Sequence, residues 1–253
     1  MGMSAIIISS IMVVLAASGM LFGMFLRSQL PEHHLSPEVK DISKVALGLV
    51  ATISALVLSL LLSTAKTAYD LRGNELVQLS TDILLLDRVL AYYGPEASDT
   101  RLQLREAVVA TIERFWPSDS TTVTGFDASA PQLEGLHEAI SRLPPDTEGH
   151  QGLRAQALQL QTEIVRTRFL LISHAGHSIP IPFLIVLILW VTVIFTGLGL
   201  FAPVNSTAVI IFLVCALSTA GAIFLILELD EPFVGVIKAS DAPLQLVLTR
   251  LGR

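Results

Sequence analysis

The run Val45 to Ala65, V-A-L-G-L-V-A-T-I-S-A-L-V-L-S-L-L-L-S-T-A, carries no charge and is bracketed by Lys44 and Lys66. A bilayer core of about 30 Å takes about 20 apolar residues of α-helix, so the run reads as one membrane crossing. Two other stretches pass the same test. Ser4 to Leu26 is uncharged and ends at Arg27, and Phe169 to Leu227 contains no Asp, Glu, Lys or Arg. The last is too long for one crossing. Pro203 and Asn205 supply turn chemistry near its middle, which divides it into Ile181 to Leu200 and Ser206 to Leu227. Four spans follow. The first lacks the basic start of a signal peptide and exceeds the usual length of its apolar region, so it is kept as a membrane helix.

Composition agrees. Of 253 residues, 52% are hydrophobic and 15% charged, too little charge to clothe a soluble fold of this size. The net charge of -6 offers no basic surface to nucleic acid, and no Lys/Arg patch is interleaved with aromatics. The single cysteine, Cys215, lies inside an apolar run, cannot form an intrachain disulfide and reads as a small buried hydrophobe.

Four spans put both termini and the long middle segment on one side. That side holds Lys66, Arg72, Arg166, Arg168 and Lys238 near the membrane, against Arg27, Lys40 and Lys44 on the other, so the positive-inside bias places the middle segment in the cytoplasm. Past Lys66, Leu76, Leu79, Ile83, Leu86 and Leu90 continue the second helix with one apolar seam. Gly94 and Pro95 end it. Pro95 opens a helix running to Trp116, a polar loop covers Ser118 to Ala130, a short helix spans Pro131 to Leu143, and a last one runs from about His150 past Leu171. Pro180 and Pro182 form a hinge into the third span, where proline at a helix start costs little. The expected architecture is all-α: residues 1–66 hold two transmembrane helices, 67–178 a cytoplasmic helical bundle, 179–229 two further transmembrane helices, and 230–253 a tail on the cytoplasmic surface or around a neighbouring subunit.

The second span carries the most informative pattern. Lys44, Gly48, Thr52, Ala55, Ser59, Ser63 and Lys66 recur at three and four residues, and at about 100° per residue they fill an arc of roughly 100°. One face is small or hydroxylic from end to end, with a lysine at each mouth. Such a stripe in hydrocarbon either seats another helix or lines a wet path. As a path, its two lysine rings, about 33 Å apart at about 1.5 Å per residue, favour anions.

Other features carry less. Gly19 and Gly23, and Ser218, Gly221 and Ala222, read as faces for close helix approach. Glu228, Asp230 and Glu231 crowd three carboxylates at the end of the fourth span, either as solvated helix-end charge or as a cation site. His33 and His34, and His174 with His177, lack a third ligand nearby and are read as interface histidines rather than metal ligands. No GxSxG, HExxH, P-loop or GxGxxG is present, so neither enzyme nor cofactor is expected.

Leu86 to Glu96 (L-D-R-V-L-A-Y-Y-G-P-E), Thr111 to Pro117 (T-I-E-R-F-W-P), Ile179 to Pro182, Gly199 to Asn205 (G-L-F-A-P-V-N) and Glu228 to Phe233 (E-L-D-E-P-F) together resemble the bacterial bestrophin-like family over nearly the whole chain. The resemblance implies a pentameric anion channel with four membrane helices, termini inside, a second helix lining the pore and an acidic calcium clasp after the fourth. An apolar neck rich in Ile and Phe, also implied, has no counterpart on the small-residue stripe. The chain therefore reads as a multi-pass protein of the cell inner membrane, an oligomeric pore conducting anions, with lipid, inorganic ions and its own copies as partners. A cation channel selected by the acidic cluster, or a non-conducting scaffold whose bundle binds a partner, are the alternatives.

Overall fold

The computed structural model describes residues 2–31, 36–116, 131–173, 179–202, 205–230 and 236–252. Its regular elements are all helical: α1 (Gly2–Gln29), α2 (Pro37–Tyr93), a 3-10 turn (Pro95–Ala97), α3 (Ser98–Phe115), α4 (Pro131–Ser141), α5 (Glu148–Ser173), α6 (Ile181–Phe201), α7 (Ser206–Asp230) and α8 (Ala242–Arg250). α1, α2, α6 and α7 are long and apolar enough to cross a bilayer. The apolar seam after Lys66 keeps α2 unbroken until Gly94, whose φ of 115° only glycine adopts readily, and Pro95 then restarts the chain.

The chain divides into two compact units, Met1–Tyr69 with His177–Ile237, and Asp70–Gly176 with Lys238–Arg253. In the first, Met12 and Ala16 of α1, Leu61 and Ala65 of α2, Leu187, Val191 and Phe195 of α6, and Ala216, Ala220 and Ile223 of α7 form a continuous apolar core. α1 lies against α6 through glycine. A β-carbon on Gly19 would stand 2.9 Å from the Thr192 carbonyl oxygen, and one on Gly23 would collide with the Thr196 carbonyl. On the other helix, Gly199 meets the Met20 carbonyl in the same way. The GxxxG pair thus lets two backbones touch, which is the association mode small residues permit in hydrocarbon. Arg27 at the end of α1 donates to the Ala202 carbonyl beyond α6, and the Asn205 side chain accepts the Ala208 N–H at 2.8 Å to cap α7. Pro203 lies outside the described residues.

The small face of α7 is not the one that packs within its own chain. Its buried face carries Ala216, Ala220 and Ile223, whereas Ser218 and Gly221 are exposed, and a β-carbon on Gly221 would meet nothing within 4 Å. Cys215 is exposed rather than buried, one position before Ala216 and so about 100° off the buried face.

In the second unit Leu79, Ile83, Leu86 and Leu90 of α2 are buried, as are Leu104, Val108 and Ile112 of α3 and Leu136 and Ile140 of α4. The Tyr93 ring stacks on His150 at 4.6 Å between centroids, and its hydroxyl donates to the Pro144 carbonyl. Arg101 forks onto Asp87 at 2.7 and 3.0 Å. The tail folds back on its own chain. α8 packs on α3 by Leu244 and Val247, and the Trp116 indole N–H donates to the Ala239 carbonyl at 2.9 Å.

Candidate functional site

α2 shows three faces in the first unit. Leu47, Val50, Ser54, Val57, Leu58, Leu61 and Ala65 turn toward the helices of their own chain and are buried or half-buried. The Ser54 hydroxyl on that face donates to the Val50 carbonyl at 2.8 Å, so no polar group is stranded there. The stripe lies on the far side: Lys44, Gly48, Thr52, Ala55, Ser59, Ser63 and Lys66 are all exposed. By helical geometry the two arcs are centred about 140° apart. Between them runs a third, made of Ile42, Val45, Leu49, Leu56 and Leu60, each at least 60% exposed. The bulky residues of α2 do not form a single face opposite the stripe. The structure splits them into an inward row and an outward one.

Along the stripe, Thr52 donates its hydroxyl to the Gly48 carbonyl at 2.9 Å, which leaves the oxygen lone pairs outward. Lys44 pairs with Asp41 one turn earlier at 3.0 Å, both side chains more than two-thirds exposed. Lys66 lies 5.7 Å from the centre of the Tyr69 ring. Both cations are thus tethered locally and open to solvent or to a neighbouring chain.

Leu47, which no sequence pattern singled out, packs directly over Gly197 of α6. Its side chain occupies the space that a β-carbon on Gly197 would need, at 2.5 Å. A groove opens on each side of this contact. One, of about 540 Å³, is lined by Phe22, Ser43, Ala46 and Thr196, and the other, of about 550 Å³, by Lys44, Gly48, Ala51, Ala208 and Ile211.

The acidic cluster is split. Glu228 is 2% exposed, and its Oε2 accepts the backbone N–H groups of Val236 at 2.6 Å and Ile237 at 3.1 Å. Asp230 is likewise buried and has a partner, while Glu231 lies outside the described residues. Burial of Glu228 and Asp230 differs from the solvated helix-end reading; at Glu228 the carboxylate is the acceptor that the Val236 and Ile237 N–H groups need. Among the described residues no three His, Cys, Asp or Glu side chains gather to hold a metal. His33, His34, His174 and His177 lie outside the described residues.

The fold is that of solved bacterial membrane proteins. Two crystal structures of a bacterial bestrophin homologue from Klebsiella pneumoniae, each carrying one substitution, match with TM-scores of 0.68 and 0.64 at 12% and 14% identity. The match covers 98% of this chain in both cases, and 97% and 96% of those chains. A crystal structure described as a membrane protein matches similarly, with a TM-score of 0.66 at 12% identity over 98% of this chain and 97% of that one. No curated protein matches the sequence. Residues 14–244 match the Bestrophin-like domain family, and the chain belongs to it.

Proposed function

We propose that the protein is an oligomeric anion channel whose second helices surround a central path, with the middle unit and both termini in the cytoplasm. The observation that carries this reading is the exposure of the whole stripe from Lys44 to Lys66 on the side of α2 away from its own chain. A polar row that long facing hydrocarbon is unfavourable, and a ring of copies turns it toward water instead. In that ring each copy adds one lysine to either mouth. Converging like charges raise the local anion concentration and oppose cations. Family membership and the bestrophin-homologue fold support the same assembly.

The acidic-cluster cation channel is the weaker reading, because Glu228 spends its carboxylate on two backbone N–H groups. The test is flux from liposomes holding the purified protein, with chloride, nitrate and potassium gradients compared. Anion flux that falls when Lys44 and Lys66 are both changed to Gln is the expected result. Absence of flux for every ion from an intact oligomer would leave the non-conducting scaffold.

A further inference from the structure

Two apolar features lie on opposite flanks of the stripe on α2. One is the outward row, in which Ile42 is 71% exposed, Val45 75% and Leu49 63%. The other is the groove of about 550 Å³ between α2, α6 and α7, whose lining is apolar except for Lys44 at its rim. At about 100° per residue the row is centred about 85° to one side of the stripe, and Ala51 in the groove lies about 70° to the other. The two are complementary in size. Branched side chains build the row, whereas Gly48, Ala51, Ala202 and Ala208 leave the groove open. They also share one level of the helix, because residues 42–49 and 44–51 are offset by only about 3 Å at about 1.5 Å per residue.

Charge divides in the same way. One turn before Ile42 the row continues into Glu38, and one turn before Lys44 the groove side continues into Lys40. Lys44 pairs with Asp41, but neither Glu38 nor Lys40 makes an ion pair among the described residues. Row and groove therefore carry opposite charge at the same end of α2.

We infer that the groove receives the outward row of a second copy of this chain, with Glu38 of one copy beside Lys40 and Lys44 of the next. The contact rests on the ring of copies proposed above and names its seam. A row that meets a groove is a head-to-tail contact, which repeats until it closes. In a closed ring every copy lies at one depth, and the shared level of row and groove meets that condition. The two directions enclose about 155° on the side of the stripe, less than a straight line, so repetition curves toward the stripe and encloses it. Association in hydrocarbon depends on close packing rather than on apolarity, and branched side chains set against glycine and alanine supply it.

The test is disulfide cross-linking of the full-length protein in liposomes, with Cys215 replaced by Ala. Leu49→Cys and Ile211→Cys are placed in one chain. Leu49 is on the far side of α2 from the groove, so this pair cannot close within its own chain. Mild oxidation is expected to give a ladder of covalent oligomers that ends at one size, while each single cysteine gives none. Val45→Cys with Ala208→Cys, one turn away, should give the same ladder. Ala51 is exposed in the single chain, so Ala51→Trp should leave its fold intact, fill the groove and cut the ladder yield severalfold. No ladder from either pair would overturn the inference and leave the groove to an acyl chain. So would dimers formed by Leu49→Cys alone, which would set row against row across a two-fold axis, or a ladder untouched by Ala51→Trp. Ion flux without a ladder would remove this contact and leave the channel reading standing. A ladder without flux would keep the contact and remove the channel.

Discussion

Gly23 of α1 lies so close to the Thr196 carbonyl of α6 that no β-carbon fits between them. In an open helix Gly→Ala is favourable by about 1 kcal/mol through helix propensity. At Gly23 the added methyl meets backbone, which cannot swing aside, and overpacking of this kind costs about 1 to 3 kcal/mol. Gly23→Ala should therefore lower thermal stability in mild detergent, while Gly221→Ala, where a β-carbon meets open space, should leave it unchanged or raise it.

The three faces of α2 give a scan with a sharp expectation. With Cys215 replaced by Ala, single cysteines at Gly48, Thr52, Ala55, Ser59 and Ser63 should react with a water-soluble thiol reagent in liposomes. Cysteines at Leu49, Leu56 and Leu60 should not. The reverse pattern would turn the bulky outward row to the water path and the stripe to a neighbouring helix.

Enlarging the stripe separates conduction from assembly. Thr52, Ala55 and Ser59 are exposed, so a leucine at each should not disturb the fold of the chain itself. In a path lined by them it should cut ion flux by dewetting. If flux per intact oligomer stays constant while the oligomer dissociates, the stripe seats helices and does not conduct.

Glu228→Ala removes the acceptor shared by the Val236 and Ile237 amides. The amides of exposed Val236 and half-buried Ile237 then lose a charged acceptor, at a cost of up to about 1.5 to 3 kcal/mol for each bond. Hydrogen exchange should show those two amides losing protection first. Equal protection in wild type and variant would mean that Val236 and Ile237 are held by other contacts.

Burial raises the affinity of the Tyr93 phenol for its proton, with nearby Arg154 opposing the shift. A group whose pKa is higher in the folded state contributes stability below its unfolded value, near 10, and that contribution is lost as pH rises through the folded value. Thermal stability should therefore fall above about pH 10, and Tyr93→Phe should flatten that alkaline limb. The same substitution also deletes the bond to the Pro144 carbonyl, so its midpoint at neutral pH should be lower than wild type.

Much of this architecture was legible in the residues. A span must satisfy its backbone internally over about 20 apolar residues, so uninterrupted runs such as Val45 to Ala65 announce helices. Proline and glycine at 94, 95, 180 and 182 mark where the helices stop and start. Periods of three and four also determined which residues share one face, and so assembled the stripe from Lys44 to Lys66. Periodicity does not say what a face meets. Only the tertiary structure decided that the stripe and Ile42, Val45, Leu49, Leu56 and Leu60 point outward while Leu47 fills the space beside Gly197. It also decided that α8 returns to α3, that Glu228 accepts from the Val236 and Ile237 amides instead of standing in solvent, and that Arg168 is buried. These relationships join residues far apart in the chain. Their energies come from desolvation and close contact, which depend on the neighbour a folded chain brings and not on the spacing along one helix.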